Sequence, residues 1–160
     1  TLVLLGKTDG WLGCSLYLRE IHGREEGAPP PVDLPAERKA GDLVRSLIAQ
    51  GTIAACHDLS DGGLAVALAE MCLASNMGAA ITLPSAIPPH AFLFGEDQAR
   101  YLVATATALK VLEAAAKSEV PALILGQSGG DSLKLDRLGT ISVDELRQAH
   151  ESWLPGYMAS

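Results

Sequence analysis

The residues best suited to chemistry lie close together: His57, Asp58, Ser60 and Asp61, followed at once by Gly62 and Gly63. Asp58 can offer a carboxylate oxygen to a hard cation such as Mg²⁺, which keeps several waters and bridges one or two carboxylates to substrate phosphates. One carboxylate is too few for a metal site, so the other ligands have to come from elsewhere. Ser60 or Asp61 can cap a following helix, and a glycine pair lets the backbone approach a ligand without a Cβ in the way. A helix N-terminus of that kind suits an anion, usually a phosphate. The same spacing also fits an ordinary strand-turn-helix connection, and it matches neither the P-loop nor the Gly-x-Gly-x-x-Gly pattern.

The flanking sequence must position this turn. Thr52 to Cys56 is a short β-capable run, and Leu64 to Leu73 is almost unbroken apolar sequence with Glu70 as its one charge, which reads as a buried helix. Before them, Leu2 to Leu5 reads as a strand buried on both faces, and Leu12 to Ile21 as a helix stopped by Gly23. Residues 24–36 hold three consecutive prolines, Pro29 to Pro31, and read as an extended, exposed connector; a docking site for a proline-reading domain is the other reading. Ala40, Leu43, Val44, Leu47 and Ile48 then recur at helical spacing, with Gly51 as the stop. Downstream, strands are expected over 79–83, 101–104, 122–126 and 132–135. A helix over 109–118 should turn Leu109, Leu112 and Ala116 inward. Ser142 and Glu145 form a capping box that opens a helix over 143–153. The aromatic tail after it should dock on a neighbouring surface, and Trp11 should cover the core at its rim. His22, His90 and His150 have no partner spacing for metal or catalysis and read as surface residues.

Composition limits the function classes. The chain of 160 residues is 48% hydrophobic, which makes one globular domain over 1–160 with a sizeable core. A net charge of −7 without a basic stripe argues against a nucleic-acid partner, and no apolar run approaches the length of a membrane span. The three cysteines, Cys14, Cys56 and Cys72, sit in apolar settings at spacings that suit neither a disulfide framework nor a zinc site; buried, reduced thiols in the cytoplasm are expected. The chain opens on Thr1 inside a strand-like run, which reads as a piece of a longer polypeptide. Strands alternating with helices point to a three-layer α/β/α domain with a mixed sheet.

The turn His57-Asp58-Leu59-Ser60-Asp61-Gly62-Gly63-Leu64, with the helix after it, closely resembles a segment of the phosphoribosylformylglycinamidine synthase family. Leu93-Phe94-Gly95-Glu96-Asp97-Gln98-Ala99-Arg100 resembles the family's Leu-Phe-Gly-Glu-Ser-Gln-Gly-Arg segment, with Asp97 for the usual Ser and Ala99 for the usual Gly. Leu12-Gly13-Cys14-Ser15-Leu16-Tyr17 is similar to its Leu-Gly-Gly-Ser-Glu-Tyr helix start. The blocks fall in family order along nearly the whole chain.

The resemblance implies a carboxy-terminal domain like that of aminoimidazole ribonucleotide synthetase, a module shared with selenophosphate synthetase and thiamine-monophosphate kinase. The family's enzyme converts formylglycinamide ribonucleotide, ATP and glutamine-derived ammonia to the amidine, ADP, phosphate and glutamate in purine biosynthesis. Its acid–base histidine and most magnesium ligands lie upstream, so no catalytic residue is assigned here and the isolated domain is expected to be inactive. By resemblance Asp58 becomes a metal ligand and Ser60 a nucleotide contact, supported by Asp61, Gly62 and Gly63. His57, Glu96 and Gln98 become candidate ligand contacts, although Asp97 and Ala99 in place of Ser and Gly favour a structural role for the second block over a binding one. The implied cofactors are Mg²⁺ and ATP or ADP. The implied partners are upstream domains of the same synthase, a glutaminase subunit or domain, and a second copy. A structural or interaction domain with a degenerate site, and the same domain of another ATP-dependent superfamily member, are the alternatives.

Overall fold

A computed structural model describes residues 1–159. Its centre is β1, Leu2–Leu5, in which every residue is buried. Alternation explains the need for cover on both sides: Leu2 and Leu4 enter one core, Val3 and Leu5 the other. Helix α1 spans Leu16–His22, α2 Leu34–Ala49, and strand β2 Ala55–Asp58. Helix α3, Gly63–Ser75, leads to β3, Ala79–Ile81, then to α4, Pro89–Phe94, and β4, Tyr101–Ala104. Helix α5, Ala108–Lys117, strands β5, Ala122–Ser128, β6, Ser132–Leu135, and β7, Gly139–Ser142, and helix α6, Val143–Met158, complete the chain.

The strands form one mixed seven-stranded sheet in the order β2-β4-β1-β5-β3-β6-β7, antiparallel throughout except for the parallel pair β3 and β6. Helices α2 and α5 pack on one face through Leu43, Val44, Leu47, Val111 and Ala115. Helix α3 covers the other through Leu64, Leu68 and Cys72, joined by Phe92 and Leu93 of α4 and Val143 of α6. The expected three-layer arrangement is therefore present, with a closed hydrophobic core on each side of the sheet.

Several local expectations are corrected. Helix α1 begins at Leu16, not Leu12, because Cys14 holds a left-handed φ of 57° and Ser15 is the cap, accepting from the Leu18 amide. The strand expected over 52–56 is β2, so His57 and Asp58 belong to an edge strand and not to the turn. In α5 the inward residues are Val111 and Ala115, while Leu109 and Ala116 are exposed. Ile48 in α2 is likewise exposed. Helix α4 was hidden by its prolines, yet Pro89 sits in the first turn, where a missing N–H costs nothing. Cys14 and Cys56 are exposed, and only Cys72 is a buried thiol.

Capping is clear elsewhere. Asp33 opens α2 by accepting from the Ala36 amide at 3.0 Å, with Pro35 in the first turn. The capping box at Ser142 and Glu145 forms as expected. Helix α6 continues through Pro155 to Met158, and Trp153 and Tyr157 stack on each other with centroids 5.4 Å apart, 68% and 66% exposed.

Candidate functional site

The three sequence blocks meet at one end of the sheet, where β1 and β2 finish and β4 begins. Their meeting point is Glu96. Its Oε1 accepts from the Gly62 amide at 2.8 Å and from the Leu16 amide at 2.9 Å, while its own amide donates to the Trp11 carbonyl at 2.9 Å. Helix α3 has no side-chain cap from its own turn; Gly62 is its cap residue, in a left-handed conformation. The expected capping by Ser60 or Asp61 is thus replaced by a carboxylate from thirty-four positions away.

The next residue builds a second anchor. The Asp97 carboxylate accepts from the amides of Asp9 and Gly10, each at 3.1 Å, and of Trp11 at 3.3 Å. Serine in that place could not gather three amides so effectively, since a carboxylate offers two acceptor oxygens and a charge. Arg100, 1% exposed, donates from Nε to the Asp97 carbonyl at 3.0 Å, from Nη1 to Thr8 Oγ1 at 3.2 Å, and from Nη2 to the Gly95 carbonyl. Burial pulls its pKa below the ordinary arginine value, with Asp97 acting in the opposite direction. Ala99 takes a φ of 60°, tolerated without glycine, and its amide donates to Glu37 Oε1 of α2 at 2.8 Å.

The other candidates are placed as follows. Asp58 ends β2 with its side chain 72% exposed. Ser60 and Asp61 are exposed, while Gly62 and Gly63 are buried beneath them. Asp61 and Glu96 line a polar cavity of about 400 Å³ with Cys14, Ser15, Leu16, Arg19 and Glu25. Gln98 is exposed, donates weakly to the Glu96 carbonyl at 3.3 Å, and lines a separate cavity of about 590 Å³ with Lys7, Trp11 and Lys39. Trp11 is partly covered and donates from its indole to the Ala28 carbonyl at 2.7 Å, which fits the expected rim role.

His57 stands apart. Its Nε2 lies 2.7 Å from Glu70 Oε2 of α3, and the ring borders an apolar groove of about 500 Å³ formed with Leu2, Leu68, Met71 and Cys72. Among the described residues no group of three or more His, Cys, Asp or Glu side chains could hold a metal ion. The exposed Asp58 carboxylate offers the oxygen donor that a hard cation such as Mg²⁺ takes, and by itself it makes no site. Sequence reasoning missed the anchoring pair Asp97 and Arg100; a charged residue in place of the pattern's Ser, with an arginine three positions on, was the available signal.

Fold and site define a carboxy-terminal domain of the aminoimidazole ribonucleotide synthetase type. Residues 1–136 match the family model described as AIR synthase related protein, C-terminal domain, and the chain belongs to that family. Among its relatives, phosphoribosylformylglycinamidine synthase subunit PurL of Caulobacter vibrioides is 57% identical over 160 residues, covering 100% of this chain and 22% of that protein. The PurL subunit of Methylocella silvestris is 53% identical over 161 residues, covering 99% of this chain and 22% of that protein. The chain therefore spans about a fifth of the length of these curated relatives. A solved structure of Thermotoga maritima PurL complexed with FGAR superposes with a TM-score of 0.74 at 19% identity, over 91% of this chain and 27% of that one. A HypE–HypF complex shares the fold more distantly, with a TM-score of 0.56 at 20% identity over 89% of this chain and 52% of that one. No helix among the described residues is long and apolar enough to cross a membrane.

Proposed function

We propose that this chain is the carboxy-terminal domain of a phosphoribosylformylglycinamidine synthase, an ATP-dependent ligase of purine biosynthesis. In that role it supplies the outer wall of a Mg-nucleotide site and no catalytic residue. The observation that supports this reading is the convergence of the three sequence blocks on Glu96, beside which Asp58, Ser60 and Asp61, within four positions of one another, are exposed. An exposed carboxylate beside a hydroxyl suits a cation shared with phosphates, and the shortage of further ligands suits a site completed by another part of the synthase. Mg²⁺ supplies charge neutralisation of the phosphates when bound. The chain's own part is to hold Asp58 at the end of a paired strand and Ser60 above a turn fixed from below. Related solved structures add support: T. maritima PurL is complexed with ATP in one and with ADP in another. Partner subunits of the kind present in the T. maritima PurLQS structure are part of the same proposal.

A calorimetric titration with Mg-ADP, on this chain and on one extended upstream, tests it. Asp58→Asn should weaken binding about tenfold, close to 1.4 kcal/mol. If the substitution changes thermal stability alone in both chains, the domain is a structural support with a degenerate site.

A further inference from the structure

Phosphate recognition by a glycine turn needs backbone amides that are free to bind. At the head of α3 those of the two glycines are taken. The Gly62 amide donates to Glu96 Oε1, an oxygen shared with the Leu16 amide, and the Gly63 amide donates to the Ser60 carbonyl at 3.0 Å. Glu96 is only 9% exposed, so little water screens its charge from an approaching anion. Asp61 and Glu25 border the same cavity, and its one lining cation, Arg19, is already paired with Glu20. A glutamine carbonyl could accept both amide bonds. What glutamate adds is the charge.

We propose that Glu96 is an internal anion that occupies the place a phosphate would take at Gly62, and that it sets the specificity of this end of the domain. Bare anions are turned away, and a phosphorylated ligand is admitted with its charge neutralised by a cation. The inference rests on the nucleotide reading above and refines it: contact falls to the side chains of Asp58 and Ser60, not to the amides of Gly62 and Gly63.

The test uses inorganic phosphate, followed through the amide NMR signals of Leu16 and Gly62 in residues 1–160, whose two cores close within the chain. In the native chain millimolar phosphate leaves both signals in place; in Glu96→Ala, which frees both amides and removes the charge, it shifts them, with affinity at least about tenfold tighter. Phosphate that moves both signals in the native chain overturns the proposal without any variant. A folded Glu96→Ala chain that ignores phosphate also overturns it, and where that variant does not fold the native-chain titration decides. Failure of Mg-ADP to bind bears on the nucleotide reading alone. Mg-ADP that binds and shifts the Leu16 and Gly62 signals keeps that reading and sinks this one.

Discussion

Arg100 Nη2 lies 3.7 Å from Asp97 Oδ2, and both side chains are almost wholly removed from solvent. Attraction alone does not justify burying such a pair, because desolvation of two charges can exceed the Coulomb gain. The hydrogen bonds decide the balance. Asp97 gathers the amides of residues 9–11, and the guanidinium reaches two carbonyls and Thr8, so each charge is matched by local dipoles.

Arg100→Lys should therefore fail to rescue the position. An ammonium cannot reproduce the three-way fork, and the Gly95 and Asp97 carbonyls would lose their donors. A loss of about 3 kcal/mol is expected from urea unfolding midpoints. A loss below about 1 kcal/mol would place the pair among solvated surface bridges.

Gly63→Ala should be more harmful than its size suggests. Gly63 holds a φ of +61°, and an added Cβ would collide with the Gly95 carbonyl oxygen, which is backbone and unable to swing aside. A cost of about 2 kcal/mol or more is expected. Gly51→Ala, at φ +64° with open space around it, separates the strain of conformation from the collision. Equal costs at the two sites, measured by thermal unfolding, would remove the collision from the account.

The capping box of α6 gives a pH dependence. Hydrogen bonds from Ser142 hold the Glu145 carboxyl below its ordinary value of 4.5. A carboxyl whose pKa falls on folding adds stability above its unfolded value, and that contribution disappears as the pH drops through the folded one. The stability difference between the native chain and Ser142→Ala should be largest at neutral pH and shrink below 4.5, as read from denaturation midpoints across pH. A difference that grows on acidification contradicts the assignment.

Much of the fold was legible because the local signals were strong. Leu2 to Leu5 read as a doubly buried strand and is one, and Ser142 with Glu145 capped a helix as expected. The errors have physical causes. In α5 the stripe was read out of phase: Leu109, in the first turn, is exposed, and Val111 and Ala115 face the core. Residues 12–15 looked helical, yet a left-handed Cys14, and Asp97 holding the Trp11 amide just before them, keep them in a turn, and no local pattern carries that long-range bond. For the site, sequence placed Asp58, Ser60 and Asp61 close to one turn and offered Ser60 or Asp61 as the helix cap; Glu96, distant in sequence, accepts from the Gly62 amide instead.

Strand β1 is among the first residues of this chain, yet both of its neighbours, β4 and β5, lie beyond residue 100. During synthesis β1 therefore emerges as a sticky apolar ribbon whose partners do not yet exist, and neither core can form around it. Contacts so distant in sequence make folding late and comparatively slow, with aggregation competing until β5 has been made. A chain shortened before Ser128 is accordingly expected to be insoluble, while loss of the α6 tail should leave an assembled sheet.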